Sequence, residues 1–251
     1  MAIPQVIRKP MRSVYRRVMA DVLVARVGAT TLDTDLVKRA RQMQALSREC
    51  FCWTTPHPTR WWEYPWILRE VERHMEGVPR KAIDAGAGKS PMPVALHRLG
   101  FETAVVDPNA QEEVGVHAGG EWDWTDYGKW GVKSIRAGME EERFDEGSLG
   151  AVVSVSVIEH VPADVRRAGL KAMSKSMASG GVMVLTIDLC VGTRKLWNRI
   201  LDQEVEPLDV HGTAEDIISE AKSEGLNLKH QELCPISTDK HDILGLVFVK
   251  E

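Results

Sequence analysis

Cysteine is scarce in this chain of 251 residues: Cys50, Cys52, Cys190 and Cys234 are the only four, and only the first two are close in sequence. So few thiols, so spaced, exclude a disulfide framework and imply a reducing compartment, the cytoplasm. Long apolar runs are lacking as well. No stretch approaches the roughly 18 residues of a membrane-spanning helix, and the start lacks the apolar centre of a secretory signal, so a soluble protein is expected. There is no basic surplus: the formal net charge is −4 and the sequence pI about 6.1, which makes nucleic acid an unexpected partner. Repeats and low-complexity segments are absent too. The length is enough to bury a full core, and one domain with an added helical cap accounts for it.

Two local features stand against these absences. Cys50-x-Cys52 with His57 suggests zinc, but the spacing is short and a structural zinc needs four ligands, so no metal is expected there. Met11, Val14, Tyr15, Val18, Met19, Val22 and Leu23 recur at helical spacing with Arg12, Arg16 and Arg17 opposite. A basic amphipathic helix over residues 11–26 can touch a membrane surface; the plainer reading is a cap helix laying its apolar stripe on the domain.

Residues 1–76 read as helical cap or lid, with Asp33 to Asp35 supplying helix N-cap residues before Leu36. From residue 77 the texture changes. Lys81–Asp84 and Thr103–Asp107 are short apolar runs ending in aspartate, with a helical stretch from Pro93 to Leu99 between them. Leu149–Val155, a helix over Ala163–Met177 and Gly181–Ile187 continue the alternation, which predicts a parallel sheet with right-handed crossovers. A helix from Ala214 to Ser223 precedes two strand-like runs, Leu226–Leu233 and Ile243–Val249. Their connection is too short for a crossover, so this pair should be antiparallel. The fold class is therefore α/β, Rossmann-like, with seven mostly parallel strands and an antiparallel last strand, an insertion falling around residues 189–213. The segment from Ala118 to Lys133 is the least regular.

The turn Asp84-Ala85-Gly86-Ala87-Gly88-Lys89-Ser90 lies between a strand and a helix, where glycine lets the backbone approach a ligand. A phosphate-binding P-loop needs a glycine five positions before Gly88, where Ile83 stands. A dinucleotide fingerprint needs one three positions after Gly88, where Pro91 stands. Asp107, ending the next strand, is placed for the two hydroxyls of a ribose. These residues support a nucleoside ligand without choosing which.

Asp84-Ala-Gly-Ala-Gly-Lys-Ser90, Val105-Val-Asp107, the stretch from Phe144 to Ser154 running into Val157-Ile-Glu-His-Val161, and Ser179-Gly-Gly-Val-Met-Val-Leu-Thr186 resemble, in order and spacing, the successive motifs of class I S-adenosylmethionine-dependent methyltransferases of the type 11-like kind. The resemblance covers roughly residues 80–190. It implies S-adenosyl-L-methionine as cofactor, with Asp84, Gly86, Ala87 and Gly88 along its methionine and ribose portion, Asp107 on the ribose hydroxyls, Pro108 or Asn109 at the adenine edge and Glu140 at the adenine amino group. Ser156 and Arg60 join this set, Arg60 as a partner for the cofactor carboxylate. The run Arg60-Trp-Trp-Glu-Tyr-Pro-Trp66 also resembles stretches of bacterial sugar and polysaccharide-pathway methyltransferases.

Methyl transfer is an in-line displacement that needs positioning, and a protonated acceptor also needs a base. His160, after the fourth motif, is the leading candidate, either as base or as a group that orders the site; Glu159 stands beside it. His211, His241 and Asp188 are further candidates on loops at the same end of the sheet. Relatives acting on quinone precursors carry Glu-x-x-Glu-His around a divalent metal. Ser156 replaces the first glutamate here, so no metal is expected. Trp53, Arg60, Trp61, Trp62, Glu63, Tyr64 and Trp66 form the densest aromatic cluster, read either as a lid over cofactor and acceptor or as an anchor of cap to sheet. The expected activity is methylation of an oxygen or nitrogen of a small molecule. An RNA or protein methyltransferase, resting on Arg12, Arg16, Arg17, Lys38, Arg39, Arg41 and Arg48, and a non-catalytic scaffold of the same fold remain alternatives.

Overall fold

The computed structural model describes residues 33–52, 59–109, 126–197, 206–236 and 241–251. The expected helix over 11–26, Trp53 and His57 lie outside the described residues. Among those described, no helix is long and apolar enough to cross a membrane.

Seven strands form one sheet: β1 (Lys81–Ala85), β2 (Glu102–Val106), β3 (Lys133–Ile135), β4 (Leu149–Val155), β5 (Met177–Cys190), β6 (Leu226–Leu233) and β7 (His241–Lys250). Their order is β3-β2-β1-β4-β5-β7-β6. The first five pair in parallel, and β7 runs antiparallel to both β5 and β6. The expected architecture and the antiparallel last pair are both present. Strand order reverses at β1, so the carboxyl ends of β1, β2 and β4 border the crevice where ligands of such sheets bind.

Helices α1 (Thr34–Phe51), α2 (Arg60–Arg73) and α3 (Met92–Arg98) cover one face; α4 (Ala163–Ser176) and α6 (Ala214–Ser223) cover the other, and α5 (Leu208–His211) is a single turn before α6. Alternation along the strands builds both cores. In β5, Val182 and Val184 pack with Trp62, Trp66 and Leu36, while Met183, Leu185 and Ile187 pack with Leu170, Ile217 and Ala221. Asp33 caps α1, its Oδ1 accepting from the backbone N–H of Asp35 and Leu36, which satisfies donors that a helix start leaves open. Thr213 and Asp216 cap α6 reciprocally.

Two tryptophans of α2 pack as anchors of the helix to the sheet. Trp62 and Trp66 are wholly buried and stack with ring centroids 5.0 Å apart. The Trp66 ring lies on β7 at Gly245, where any Cβ would come within 2.5 Å of it, and its Nε1 donates to Glu232 at 2.8 Å. These rings fix α2 to the sheet, so the N-terminal residue of that helix, Arg60, is delivered to a fixed place over the strand ends.

Candidate functional site

Three groups of side chains meet at the carboxyl ends of β1, β4 and β5. The first is the glycine-rich turn. β1 ends at Ala85, and Gly86 turns away with φ +74°, its N–H donating to the carbonyl of Val106 at 2.8 Å. A Cβ on Gly86 would stand 2.5 Å from Cγ1 of Val157, so the residue is required both by conformation and by space. Gly88 has φ +51°, and its N–H points to Oδ2 of Asp107 at 3.4 Å. The other Asp107 oxygen accepts from the N–H of Asn109 at 2.8 Å. The buried hydroxyl of Tyr127 closes the turn: it accepts from the Ser90 N–H and lies 2.9 Å from the carbonyls of both Gly88 and Ser90.

Asp84, beneath this turn, is wholly buried, and neither of its carboxylate oxygens has a hydrogen-bond partner among the described residues. Burial, reinforced by the charge of Asp107 and opposed by Arg60, pushes its carboxyl up to about 8. A buried charge is held so only at a cost unless a partner arrives. The turn therefore combines exposed backbone, a ribose-type acid and a carboxylate lacking a cation. An amino acid joined to a nucleoside fits that donor and acceptor set.

The second group is built on Arg60. Its Nη1 donates to Oε1 of Glu63 at 2.6 Å and to Oγ of Ser156 at 2.8 Å. Glu63 Oε1 also accepts from Thr186 at 2.7 Å. Ser156, in the left-handed region at φ 48°, sits 2.7 Å from Glu63 Oε1 and 2.8 Å from Asp188 Oδ1. One hydroxyl proton cannot serve two ionised carboxylates. With Glu63 already receiving Arg60 and Thr186, the Ser156 hydroxyl is available to Asp188, yet burial followed by the charge of Glu63 raises the Asp188 carboxyl above the usual range.

The third group surrounds His160, which lies in a 3-10 turn after β4 (Ile158–His160). Its Nδ1 is 2.8 Å from Oε1 of Glu206, so in the neutral ring Nδ1 carries the proton and Nε2 the lone pair, as assigned from that contact. Glu206 Oε2 lies 3.5 Å from Nε2 of His211, and buried Arg166 on α4 holds the His211 carbonyl at 2.8 Å. Glu159 is wholly buried; its Oε1 accepts from the Asp188 N–H at 2.9 Å, and its Oε2 has no partner among the described residues. Burial and the neighbouring charge of Asp188 push Glu159 well up. Glu159, His160 and Asp188 each present a ligand atom, all within 4.8 Å of one another, so the structure supplies from β5 a third group for a cation that sequence spacing did not foresee. His241 stacks on Trp197 with centroids 4.3 Å apart.

The structure thus brings Asp84, Gly86, Ala87, Gly88, Asp107, Ser156, Arg60 and the three histidines to one end of the sheet. Pro108 and Glu140 are exposed; Glu140 follows Ala137, whose N–H donates to the Asp107 carbonyl at 3.3 Å. Sequence reasoning missed Tyr127, Glu206 and the partnership of Glu63 with Arg60. Only the last left a signal, an acid three residues after an arginine on a helix. Cys50 and Cys52 are free thiols, and burial raises the former to about 11.

No protein-family model matches the sequence, and no curated protein matches it either. Solved structures do. A geranyl diphosphate C-methyltransferase from Streptomyces coelicolor A3(2) is 12% identical with a TM-score of 0.52, over 73% of this chain and 78% of that one. The N-methyltransferase NodS from Bradyrhizobium japonicum WM9 is 16% identical with a TM-score of 0.52, over 78% of this chain and 99% of that one. The glycopeptide N-methyltransferase MtfA is 13% identical with a TM-score of 0.50, over 73% and 86%. At these identities the likeness establishes the fold, which is that of class I S-adenosylmethionine-dependent methyltransferases.

Proposed function

We propose that this chain is an S-adenosylmethionine-dependent methyltransferase that methylates a nitrogen or oxygen of a small molecule. The observation that carries the reading is Asp84: a buried carboxylate with two unpaired oxygens under a turn that only glycine can make. In this reading Asp84 takes the ammonium of the cofactor's methionyl part, Gly86 and Gly88 leave room for its backbone-facing side, Asp107 holds the ribose hydroxyls and Pro108 and Glu140 border the adenine. Arg60, held over the strand ends by α2, faces the cofactor carboxylate. The bound cofactor supplies a methyl group carried on a sulfonium.

The chain's own part is positioning, water exclusion and proton handling. Residues 1–76 act as the cap and residues 77–251 as the binding domain. His160 is the base: Glu206 holds its Nδ1 proton, which leaves Nε2 to accept a proton from the acceptor. Glu206 is a positioning residue, fixing tautomer and ring orientation as a second carboxylate does for many catalytic histidines. The reading of a nucleic-acid enzyme draws less support than its sequence suggested, because Arg39 is paired with Asp35 and Glu72, both at 2.7 Å. Isothermal titration of the purified chain with S-adenosylmethionine and with S-adenosylhomocysteine tests the proposal. One saturable site for each is expected; no binding of either sinks it.

A further inference from the structure

We infer that the methyl acceptor is an amine, bound as its ammonium between Glu159, Asp188 and Nε2 of His160. The inference rests on the methyl transfer proposed above and names its substrate class. It begins from charge. Of the buried acids at the strand ends, Glu63 is matched by Arg60 at 2.6 Å, Glu206 faces two imidazoles, and Asp84 is assigned to the cofactor. Glu159 and Asp188 are left over, with no lysine or arginine within 4.0 Å of either among the described residues, and Oε2 of Glu159 is buried without a partner.

The third member of the cluster completes the recognition. Because Nδ1 of His160 is turned to Glu206, its Nε2 presents a lone pair, and that lone pair lies 4.0 Å from Oε1 of Glu159. At that distance the two atoms do not bond each other directly, which leaves room for a donor between them. A primary ammonium offers three N–H donors to three converging acceptors.

Spacing separates this ligand from a divalent metal. Adjacent donor atoms about 2.1 Å from a common metal stand about 3.0–3.4 Å apart in octahedral or tetrahedral arrangement. Acceptors each about 2.8 Å from an ammonium nitrogen stand about 4.6 Å apart. The 4.0 Å between His160 and Glu159 is wider than the spacing of adjacent ligands on a small divalent metal and nearer that of two acceptors on one ammonium.

The chemistry closes without another reactant. His160 Nε2 takes one ammonium proton; the freed nitrogen lone pair forms the bond to the methyl carbon; the electrons of the broken carbon–sulfur bond return to sulfur. The positive charge of the sulfonium passes to the methylated nitrogen, the charge of the removed proton stays on the His160 imidazolium beside Glu206, and Glu159 and Asp188 face the ammonium of the product. An alcohol would arrive neutral and bring no cation to Glu159 and Asp188.

The test offers methyl-tritiated S-adenosylmethionine and the whole chain three matched pools: primary and secondary amines, the alcohols and phenols of the same carbon skeletons, and the corresponding carboxylic acids. Transfer at least ten times greater to the amine pool is expected. Glu159→Gln, which keeps shape and lowers buried charge, should raise KM for the amine roughly 10- to 100-fold, the value of one charge-assisted hydrogen bond, while S-adenosylhomocysteine binding stays within twofold. Asp188→Asn, which keeps an acceptor for Ser156, should do the same. Transfer confined to oxygen acceptors, or no preference for amines, overturns the inference while cofactor binding leaves the underlying reading standing. Stoichiometric binding of Mg²⁺ or Mn²⁺ that Glu159→Gln abolishes assigns the cluster to a metal and also overturns it. Absence of S-adenosylhomocysteine binding removes both.

Discussion

Binding of S-adenosylhomocysteine at pH 7 should expel a proton, and Asp84 should be its source. In the ligand-free protein this carboxyl is pushed up to about 8, so at pH 7 it is about nine-tenths protonated. An ammonium placed against it restores the ionised form, and close to 0.9 of a proton leaves per ligand bound. Isothermal titration at pH 7 in phosphate, HEPES and Tris reads this number as the slope of binding enthalpy against buffer ionisation enthalpy. In Asp84→Asn the slope should fall to near zero and affinity should drop roughly 10- to 100-fold, the loss of a hydrogen bond to a charged group. The same carboxyl contributes to the pH dependence of stability, beside Glu159 and Asp188, which are also raised. Its folded value lies above its unfolded one, so the folded state holds the proton more tightly. Its contribution is therefore fully present below about pH 4 and is lost as pH rises to about 8, by up to about 1.4 kcal/mol per pH unit. Asp84→Asn should flatten that part of the profile. A buffer-independent enthalpy in the parent protein, or the same slope in the variant, would refute the assignment of the ammonium to Asp84.

Other substitutions probe the scaffold. Gly86→Ala puts a Cβ 2.5 Å from Val157 and a side chain at φ +74°; it should cost roughly 1–3 kcal/mol in chemical denaturation and weaken cofactor binding. Tyr127→Phe strips the hydroxyl that ties Ser90 and Gly88; about 1–3 kcal/mol of stability should go, with looser binding of S-adenosylhomocysteine by titration. Gly245→Ala drives a Cβ into the Trp66 ring and should lower Tm by several degrees through overpacking of about 1–3 kcal/mol.

Much of the fold was legible because alternation of apolar residues is dictated by burial on two faces. Leu149–Val155 and Leu226–Leu233 match the strands residue for residue. Strand ends that lack an alternation signal were read short: β5 extends from Met177 to Cys190, beyond the apolar run, because pairing with β7 continues through Asp188 and Cys190. Asp84, Gly86 and Asp107 were legible because a turn needing positive φ and an acid at the next strand end are local requirements. Tyr127 and Glu206 were not. Each reaches a partner far back in the sequence, Tyr127 to a turn 37 residues earlier and Glu206 to a histidine 46 residues earlier, and no spacing rule encodes such a contact. Glu63 stood in plain view beside three tryptophans, but its meaning depends on Ser156 and Thr186, which only the sheet brings to it.

The central claim is that the turn at Asp84 holds S-adenosylmethionine. Equilibrium dialysis of the purified chain against labelled S-adenosylmethionine tests it most directly, with unlabelled S-adenosylhomocysteine, NAD and ATP as competitors. One saturable site, displaced by S-adenosylhomocysteine alone and weakened in Asp84→Asn and Gly86→Ala, is the predicted result. No saturable binding, or displacement by NAD or ATP, would contradict it.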